Sequence, residues 1–333
     1  AIIVATGYET FDPSTEPNYG YGLPNVITGL EFERLINASG PTGGKVLLED
    51  GSYPKRVVLI QCVGSREIGG REYCSRFCCM YTAKHAHLVE ERIEGAKVTV
   101  LFTDARAYGK GFEEFYNRVK REGVKYVRRD LEKPIEVRER FDGKLVVSAT
   151  GMDASPIEIE ADLVVLATAA IPREDASEIS RLLNISHTGD GFFMEAHPKL
   201  RPIDTPSDGI FLAGCAQGPK DIPDTVAQAS GAASQVLSLI SRDKTEGSGS
   251  VSFVDEEICI GCATCYEVCP YGAIEMVKID EVKWRARVNE VVCKGCGICT
   301  GECPARAVNV RHFKDNQILA KLEGILIDLN EVV

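Results

Sequence analysis

The chain opens on a short apolar run, Ala1-Ile-Ile-Val-Ala-Thr-Gly7, and such runs recur along it, separated by stretches whose apolar positions repeat every three to four residues. Unbroken apolar runs of strand length fit strands buried on both faces, and the 3.6-residue repeat fits helices packed on them. After a loop at 12–22 rich in Pro, Gly, Tyr and Asn, the pattern predicts a helix over 29–38 with Phe32, Leu35 and Ile36 on one face. A strand at 55–62, a helix at 80–93, a strand at 97–103, a helix at 112–122 and a strand at 124–128 follow. That βαβαβ order predicts a parallel sheet with right-handed crossovers. Residues 135–140 and 144–149 read as an antiparallel hairpin turning at Asp142-Gly143.

The strand Asp162-Leu-Val-Val-Leu-Ala-Thr168 repeats the opening theme, an apolar run ending in Ala-Thr. One nucleotide-type domain inserted inside another would produce that recurrence. A further buried strand, Gly209-Ile-Phe-Leu-Ala-Gly214, leads into a helix at 225–240, and the polar stretch 242–250 reads as a flexible linker. The boundaries expected are 1–53 for a first partial domain, 54–170 for the inserted α/β unit and 171–241 for the return of the first domain. The linker at 242–250 and a C-terminal domain at 251–333 complete the set. In the tail, Ile318, Leu319, Leu322, Leu326 and Leu329 share a helical face expected to pack on its own domain rather than on a partner chain. A strand as the opening element suggests that the sequence begins inside a domain, with the upstream part on a separate polypeptide or missing from the sequence.

With 333 residues, 44% hydrophobic and 26% charged, the chain fits two or three domains with full cores. Its apolar runs fall well short of a bilayer span. A net charge of −11 disfavours nucleic acid as a partner. Thirteen cysteines without a secretion signal point to metal ligation in a reducing, cytoplasmic setting rather than to disulfides.

Eight of those cysteines repeat the run C-x2-C-x2-C-x3-C-P: Cys259, Cys262, Cys265, Cys269, then Cys293, Cys296, Cys299, Cys303. Three thiolates on one tight loop can hold three irons of a 4Fe-4S cube, while the fourth, before the proline, reaches the other cluster. Cys259, Cys262, Cys265 and Cys303 should therefore hold one cluster, and Cys269, Cys293, Cys296 and Cys299 the second. Gly261, Gly295 and Gly297 let the backbone wrap close, so that its N–H groups can donate to sulfur. Structural zinc sites use paired C-x2-C halves separated by a spacer, a different arrangement. A second group, Cys62, Cys74, Cys78 and Cys79, matches no general motif. Arg66, Arg71, Arg76 and Lys84 surround it in sequence and could offset thiolate charge. Its spacing leaves a metal or cluster site and a set of buried or redox-active thiols equally open.

Taken together, Cys62-x11-Cys74-x3-Cys78-Cys79, Ala5-Thr-Gly-Tyr8 with Tyr19-Gly-Tyr-Gly22, Ala213-Gly-Cys-Ala-Gln-Gly-Pro-Lys-Asp-Ile222 and the C-terminal cysteine runs resemble the A subunit of heterodisulfide reductase. This flavin-containing, electron-bifurcating family occurs in methanogens and in related complexes of anaerobic bacteria. The resemblance covers essentially the whole chain but only the C-terminal part of the family's usual length. It implies a thioredoxin-reductase-like FAD domain interrupted by a nicotinamide-type α/β domain, followed by an α+β domain with two 4Fe-4S clusters. It also implies a third 4Fe-4S cluster at Cys62, Cys74, Cys78 and Cys79 beside FAD.

By the same resemblance, Thr6 and Gly7 form the N-terminal half of the flavin site, and Gly214, Asp221, Ile222 and Thr225 the C-terminal half. Where similar proteins place an Asp on the ribityl chain this chain has Cys215, leaving Gln217 or Asp221 as substitutes. Lys199 and Lys220 are the catalytic candidates, cations placed near the flavin's reactive nitrogens. No G-x-G-x-x-G turn occurs, and Cys62-Val-Gly-Ser65 stands at the pyridine-nucleotide turn, which argues against NAD(P)H there and for an FAD site completed by an N-terminal part. The implied partners are subunits like the heterodisulfide-reductase B and C chains, a hydrogenase- or formate-dehydrogenase-type donor, ferredoxin, and a chain completing the FAD domain. Two other functions share these motifs: a non-bifurcating electron-transfer subunit of another anaerobic reductase, and a ferredoxin-bearing scaffold with a degenerate flavin domain.

Overall fold

The computed structural model describes residues 1–241 and 249–330; the linker expected at 242–250 falls, for 242–248, outside the described residues. The chain divides into two compact units, Ala1–Leu237 and Ser238–Val333.

In the first unit the strand Leu163–Thr168 is buried along its whole length because it is paired on both sides, in parallel, with Arg56–Val63 and with Val26–Thr28. Lys97–Phe102 and Lys125–Arg128 extend the sheet beyond Arg56–Val63, also in parallel. Side chains alternate across this sheet. Val57, Leu59 and Val165 meet Phe32, Ala83, Val89 and Val119 from the helices Gly29–Ile36, Cys78–Arg92 and Phe112–Arg121. Val58, Ile60, Val164 and Leu166 point the other way, onto Leu145 and Val147 of a three-stranded antiparallel sheet. That sheet contains the expected hairpin, Glu136–Glu139 with Leu145–Thr150, and a third strand, Pro156–Ala161. The third strand went unread although Ile157 and Ile159 alternate with Glu158 and Glu160, a half-buried period-two pattern.

One boundary moves. Residues 26–53 were expected with the first partial domain, but Val26–Thr28 hydrogen-bonds into the five-stranded sheet and Gly29–Ile36 packs on it. A capping box fixes where that helix starts: the Thr28 hydroxyl accepts from Glu31 N–H, and the Glu31 carboxylate accepts from Thr28 N–H at 2.7 Å. The opening strand pairs elsewhere. Ile2–Val4 runs parallel to Ile210–Leu212 as a two-stranded sheet, and Val4 and Leu212 share a core with Ala176, Ile185 and Phe193. The two strands that look alike in sequence thus belong to different sheets.

The second unit has two antiparallel pairs, Ser252–Val254 with Val308–Val310 and Ile274–Lys278 with Trp284–Val288. Its apolar interior is built from Ile274, Ala286, Ala307 and Val308 packed around cysteines. The tail helix Asp315–Asn330 forms as expected, but Ile318, Leu319, Leu322 and Leu326 are exposed instead of packing on their own domain. Leu329 lies among residues whose side chains are not described. Among the described residues no helix is long and apolar enough to cross a membrane.

Phe32 has no exposed surface and fills the space between its helix and the five-stranded sheet. Phe32→Ala is expected to destabilise the first unit by about 3–5 kcal/mol in urea unfolding, the usual cost of emptying an aromatic core site. A change below about 0.5 kcal/mol, typical of surface positions, would contradict this placement of residues 26–36.

Candidate functional site

Each ferredoxin-like cysteine run folds as a loop with left-handed turns leading into a one-turn helix, Thr264–Glu267 or Ile298–Gly301. At Gly261 and Gly295 the backbone has positive φ and no room for a side chain: a Cβ would lie 2.5 Å from the Trp284 carbonyl oxygen and 1.8 Å from that of Ser250. The loops gather the cysteines into two small cavities. Cys259, Cys262, Cys265 and Cys303 line one; Cys269, Cys293, Cys296 and Cys299 line the other. Each cavity therefore takes three cysteines from one run and the last from the other run.

Backbone N–H groups point at sulfur in a repeated way: Ala273 N–H donates to Cys269 Sγ at 3.3 Å and Ala307 N–H to Cys303 Sγ at 3.2 Å. Ser252 and Gly295 N–H both donate to Cys293 Sγ. Such donors stabilise thiolate and hold the ligands in place. Burial pushes the Cys265 thiol up to about 11, helped by Cys259, so without a bound cation this sulfur stays protonated. The donor set, four soft sulfurs per cavity with N–H groups around them, fits an iron-sulfur cluster. Among the described residues no three His, Cys, Asp or Glu converge tightly enough to share a single ion; a cubane asks less, because its thiolates bind different irons.

The other cysteine group sits at the end of the five-stranded sheet. Between Ile60 and Val63 the strand has one more residue than its partner opposite Leu166 and Thr168, a bulge, and Cys62 within it takes φ 61°. A bulge with a left-handed residue re-aims a side chain, at a cost of about 1–3 kcal/mol for a non-glycine residue. Cys78 and Cys79 open the helix Cys78–Arg92 and are buried, and Cys74 precedes them in the connecting loop. Burial, followed by the proximity of the other three sulfurs, pushes the Cys78 thiol well up; burial likewise pushes Cys79 up to about 11.

Of the four expected charge partners one is present: Arg66 forks onto Asp104 at 2.7 and 2.9 Å and reaches Cys62 Sγ at 4.0 Å. Arg76 gives only its backbone N–H to Cys74 Sγ, at 3.3 Å, while its guanidinium pairs with Asp224 at 2.8 Å. The other two turn away: Arg71 stacks on Phe11, and Lys84 pairs with Glu33. Arg129, which sequence distance hid, is buried beside Cys62 and donates to the Gln61 carbonyl at 3.1 Å.

Next to this group opens a cavity of about 700 Å³. Its walls come from both ends of the first unit: Gly7 and Tyr8 from the turn after the first strand, Gly214 and Cys215 after Ile210–Leu212, and Asp221, Ile222 and Thr225 at the start of the helix Ile222–Ile240. Phe77 and Met80, which flank Cys78 and Cys79, also line it. Tyr8 lines the cavity with its ring 5.6 Å from that of Phe77; burial raises its phenol, and Cys215 and Cys78 add to the shift. The size and largely apolar lining suit a planar aromatic ligand. Asp221 caps the helix, its carboxylate accepting from Asp224 N–H at 2.9 Å, which presents the positive helix end to the cavity.

Three of the expected flavin-site residues are not part of the lining. Thr6 is exposed between Ala5 and Gly7, which are. Gln217 bonds to Glu195 and Lys220, and Lys199 lies in an exposed turn, its N–H donating to the His197 ring. Lys220 does line the cavity. Its ammonium donates to the Gly214 carbonyl, the Gln217 side-chain oxygen and the Gly218 carbonyl at 2.6, 3.0 and 2.7 Å, while burial pulls it down to about 8.

Paired four-cysteine cavities with N–H groups aimed at sulfur define an iron-sulfur electron-transfer protein, and residues 252–310 match the 4Fe-4S dicluster domain family. Over 330 residues the chain is 51% identical to the A subunit of the H(2):CoB-CoM heterodisulfide,ferredoxin reductase of Methanothermobacter marburgensis, covering 98% of this chain and 49% of that protein. It is 51% identical over 334 residues to the second iron-sulfur A subunit of the CoB--CoM heterodisulfide reductase of Methanopyrus kandleri, covering 98% of this chain and 50% of that protein. The chain belongs to the family of heterodisulfide reductase A subunits, which are oxidoreductase components, and spans about half the length of these relatives. Among solved structures it is similar to the thioredoxin reductase of Lactococcus lactis, at 16% identity and a TM-score of 0.44 over 72% of this chain and 66% of that one, a likeness too loose to bear on chemistry.

The depressed Lys220 ammonium carries a pH signature. Below pH 8 the lysine is charged in folded and unfolded chains alike, and folding bears the full cost of burying that charge. Between about 8 and the ordinary value of 10.5 the unfolded chain binds more protons, so stability rises with pH. Unfolding free energies measured across pH 7.5–10.5 should show the wild type gaining on Lys220→Met as pH rises. Parallel pH profiles would contradict a folded-state value near 8.

Proposed function

We propose that this chain is the part of a heterodisulfide-reductase-type A subunit that binds FAD in the 700 Å³ cavity and three 4Fe-4S clusters at its three cysteine groups, for flavin-based electron bifurcation. The observation that carries this reading is adjacency: Phe77 and Met80, which flank the buried Cys78 and Cys79 in the chain, line the cavity together with Tyr8. Bound flavin supplies an exchange between two-electron and one-electron chemistry, and iron-sulfur clusters supply single-electron transfer over a wide span of potential.

The chain's own residues orient and insulate. Gly7 and Gly214 have positive φ and leave the cavity wall bare backbone on two sides; a Cβ on Gly7 would meet nothing within 4 Å, and one on Gly214 would touch Thr225 Cγ2 at 3.4 Å. Lys220 and the N-terminus of Ile222–Ile240 put positive charge at the cavity, which favours an electron-rich ring there. Lys199 lies in an exposed turn outside the cavity lining. Phe77 and Tyr81 line the cavity on the side of Cys78 and Cys79. With no glycine-rich ADP turn in this chain, the rest of the FAD site is proposed to come from the portion of the relatives' length not spanned here, on the same or another polypeptide.

The name of the M. marburgensis relative couples hydrogen, the CoB-CoM heterodisulfide and ferredoxin. On that basis we assign this chain a two-electron donor of hydrogenase or formate-dehydrogenase type, ferredoxin as the low-potential acceptor, and subunits like the heterodisulfide-reductase B and C chains leading to a disulfide or other high-potential acceptor.

Iron, acid-labile sulfide and FAD should be measured on anaerobically purified protein with its native partners. About 12 iron atoms attributable to this chain and one FAD are expected, with Cys78→Ala losing about 4 irons. About 8 irons unchanged by Cys78→Ala would remove the third cluster, and absence of FAD would favour a scaffold carrying only the ferredoxin-type pair.

A further inference from the structure

Arg129 is 2% exposed, at the end of Lys125–Arg128. Its guanidinium makes one hydrogen bond, to the Gln61 carbonyl at 3.1 Å, and its Nε has no partner. Among the described residues no carboxylate lies within ion-pair distance of it. The titratable groups facing it are Tyr19, Cys62, Glu67 and Arg66; Tyr19 is itself buried, with a phenol pushed up to about 12. A guanidinium stays charged in proteins, and a buried charge with no carboxylate paired to it is strongly unfavourable. The fold keeps one here, bonded to the carbonyl of Gln61, which precedes Cys62 in the strand bulge.

We infer that Arg129 is a positioning residue whose fixed charge answers the negative charge of the iron-sulfur cluster held by Cys62, Cys74, Cys78 and Cys79, and thereby raises that cluster's reduction potential. This rests on the proposal that those four cysteines hold a cluster. Four thiolates make the bound group an anion, and uptake of one electron makes it more negative by one charge. A buried cation close to one ligand therefore stabilises the reduced state more than the oxidised state. Arg66 cannot supply the same effect in full, because its fork is already spent on Asp104.

The test uses the holoprotein with its native partners, as wild type, Arg129→Gln, Arg129→Lys and Cys78→Ala, with iron analysis and an EPR-monitored redox titration. Arg129→Gln keeps a donor for the Gln61 carbonyl and removes the charge. It is expected to retain wild-type iron while the potential of the cluster missing in Cys78→Ala falls by at least 59 mV, a tenfold shift in a one-electron equilibrium. Arg129→Lys should fall less. Retained iron with an unchanged potential in Arg129→Gln would overturn the inference. If Arg129→Gln loses the cluster, iron retained in Arg129→Lys supports a charge role, and iron lost in both assigns Arg129 to packing and overturns it. If wild type and Cys78→Ala hold equal iron, the cluster reading itself fails, whatever Arg129 does.

Discussion

Taking negative charge out of water is the constraint on which the first unit's design turns. Four cysteines lie near the end of a buried strand, and burial together with the neighbouring sulfurs holds Cys62, Cys78 and Cys79 as neutral thiols unless a cation is bound. The surrounding structure makes sense as provision for that charge. The strand bulges and Cys62 accepts a left-handed backbone; Arg66 is oriented by Asp104; Arg129 is buried with one hydrogen bond among the described residues; Arg76 gives its backbone N–H to Cys74. The strain and the buried guanidinium are costs that a set of plain core thiols would not require.

The second unit meets the same constraint with local means. Its loops place backbone N–H groups 3.2–3.4 Å from Cys269, Cys293 and Cys303, and glycine lets Gly261 and Gly295 press against neighbouring carbonyls. Local solutions leave a sequence signature. The two C-x2-C-x2-C-x3-C-P runs were legible because every contributing residue lies within a few positions of its cysteine, and the two cavities collect the cysteines in the interchanged grouping which that spacing suggests. The site in the first unit was only partly legible, because its parts come from distant places. Arg129 lies 67 positions beyond Cys62, and nothing in its local sequence sets it apart from Arg128, which is exposed.

The fold shows the same division. Strongly apolar strands and the βαβαβ order could be read directly, since burial on both faces writes itself into consecutive residues. Which sheet a strand joins could not. The opening strand and Leu163–Thr168 share an apolar run ending in Ala-Thr, yet one pairs with Ile210–Leu212 and the other sits between Val26–Thr28 and Arg56–Val63. Likewise a lysine's sequence neighbourhood did not separate Lys220, locked by three acceptors in the cavity wall, from Lys199 on an exposed turn. The tail helix keeps its apolar face exposed, against the packing on its own domain that its pattern suggests.

The central claim is that the Cys62 group is a metal centre in contact with the large cavity rather than a set of core thiols. An anomalous-difference map recorded at the iron edge from anaerobically grown crystals of the intact protein addresses it directly. The account requires three iron peaks on this chain, one of them bounded by Cys62, Cys74, Cys78 and Cys79 beside Phe77 and Tyr8. Two peaks only, both among the C-terminal cysteines, with unligated thiols at Cys62, Cys74, Cys78 and Cys79, would contradict it.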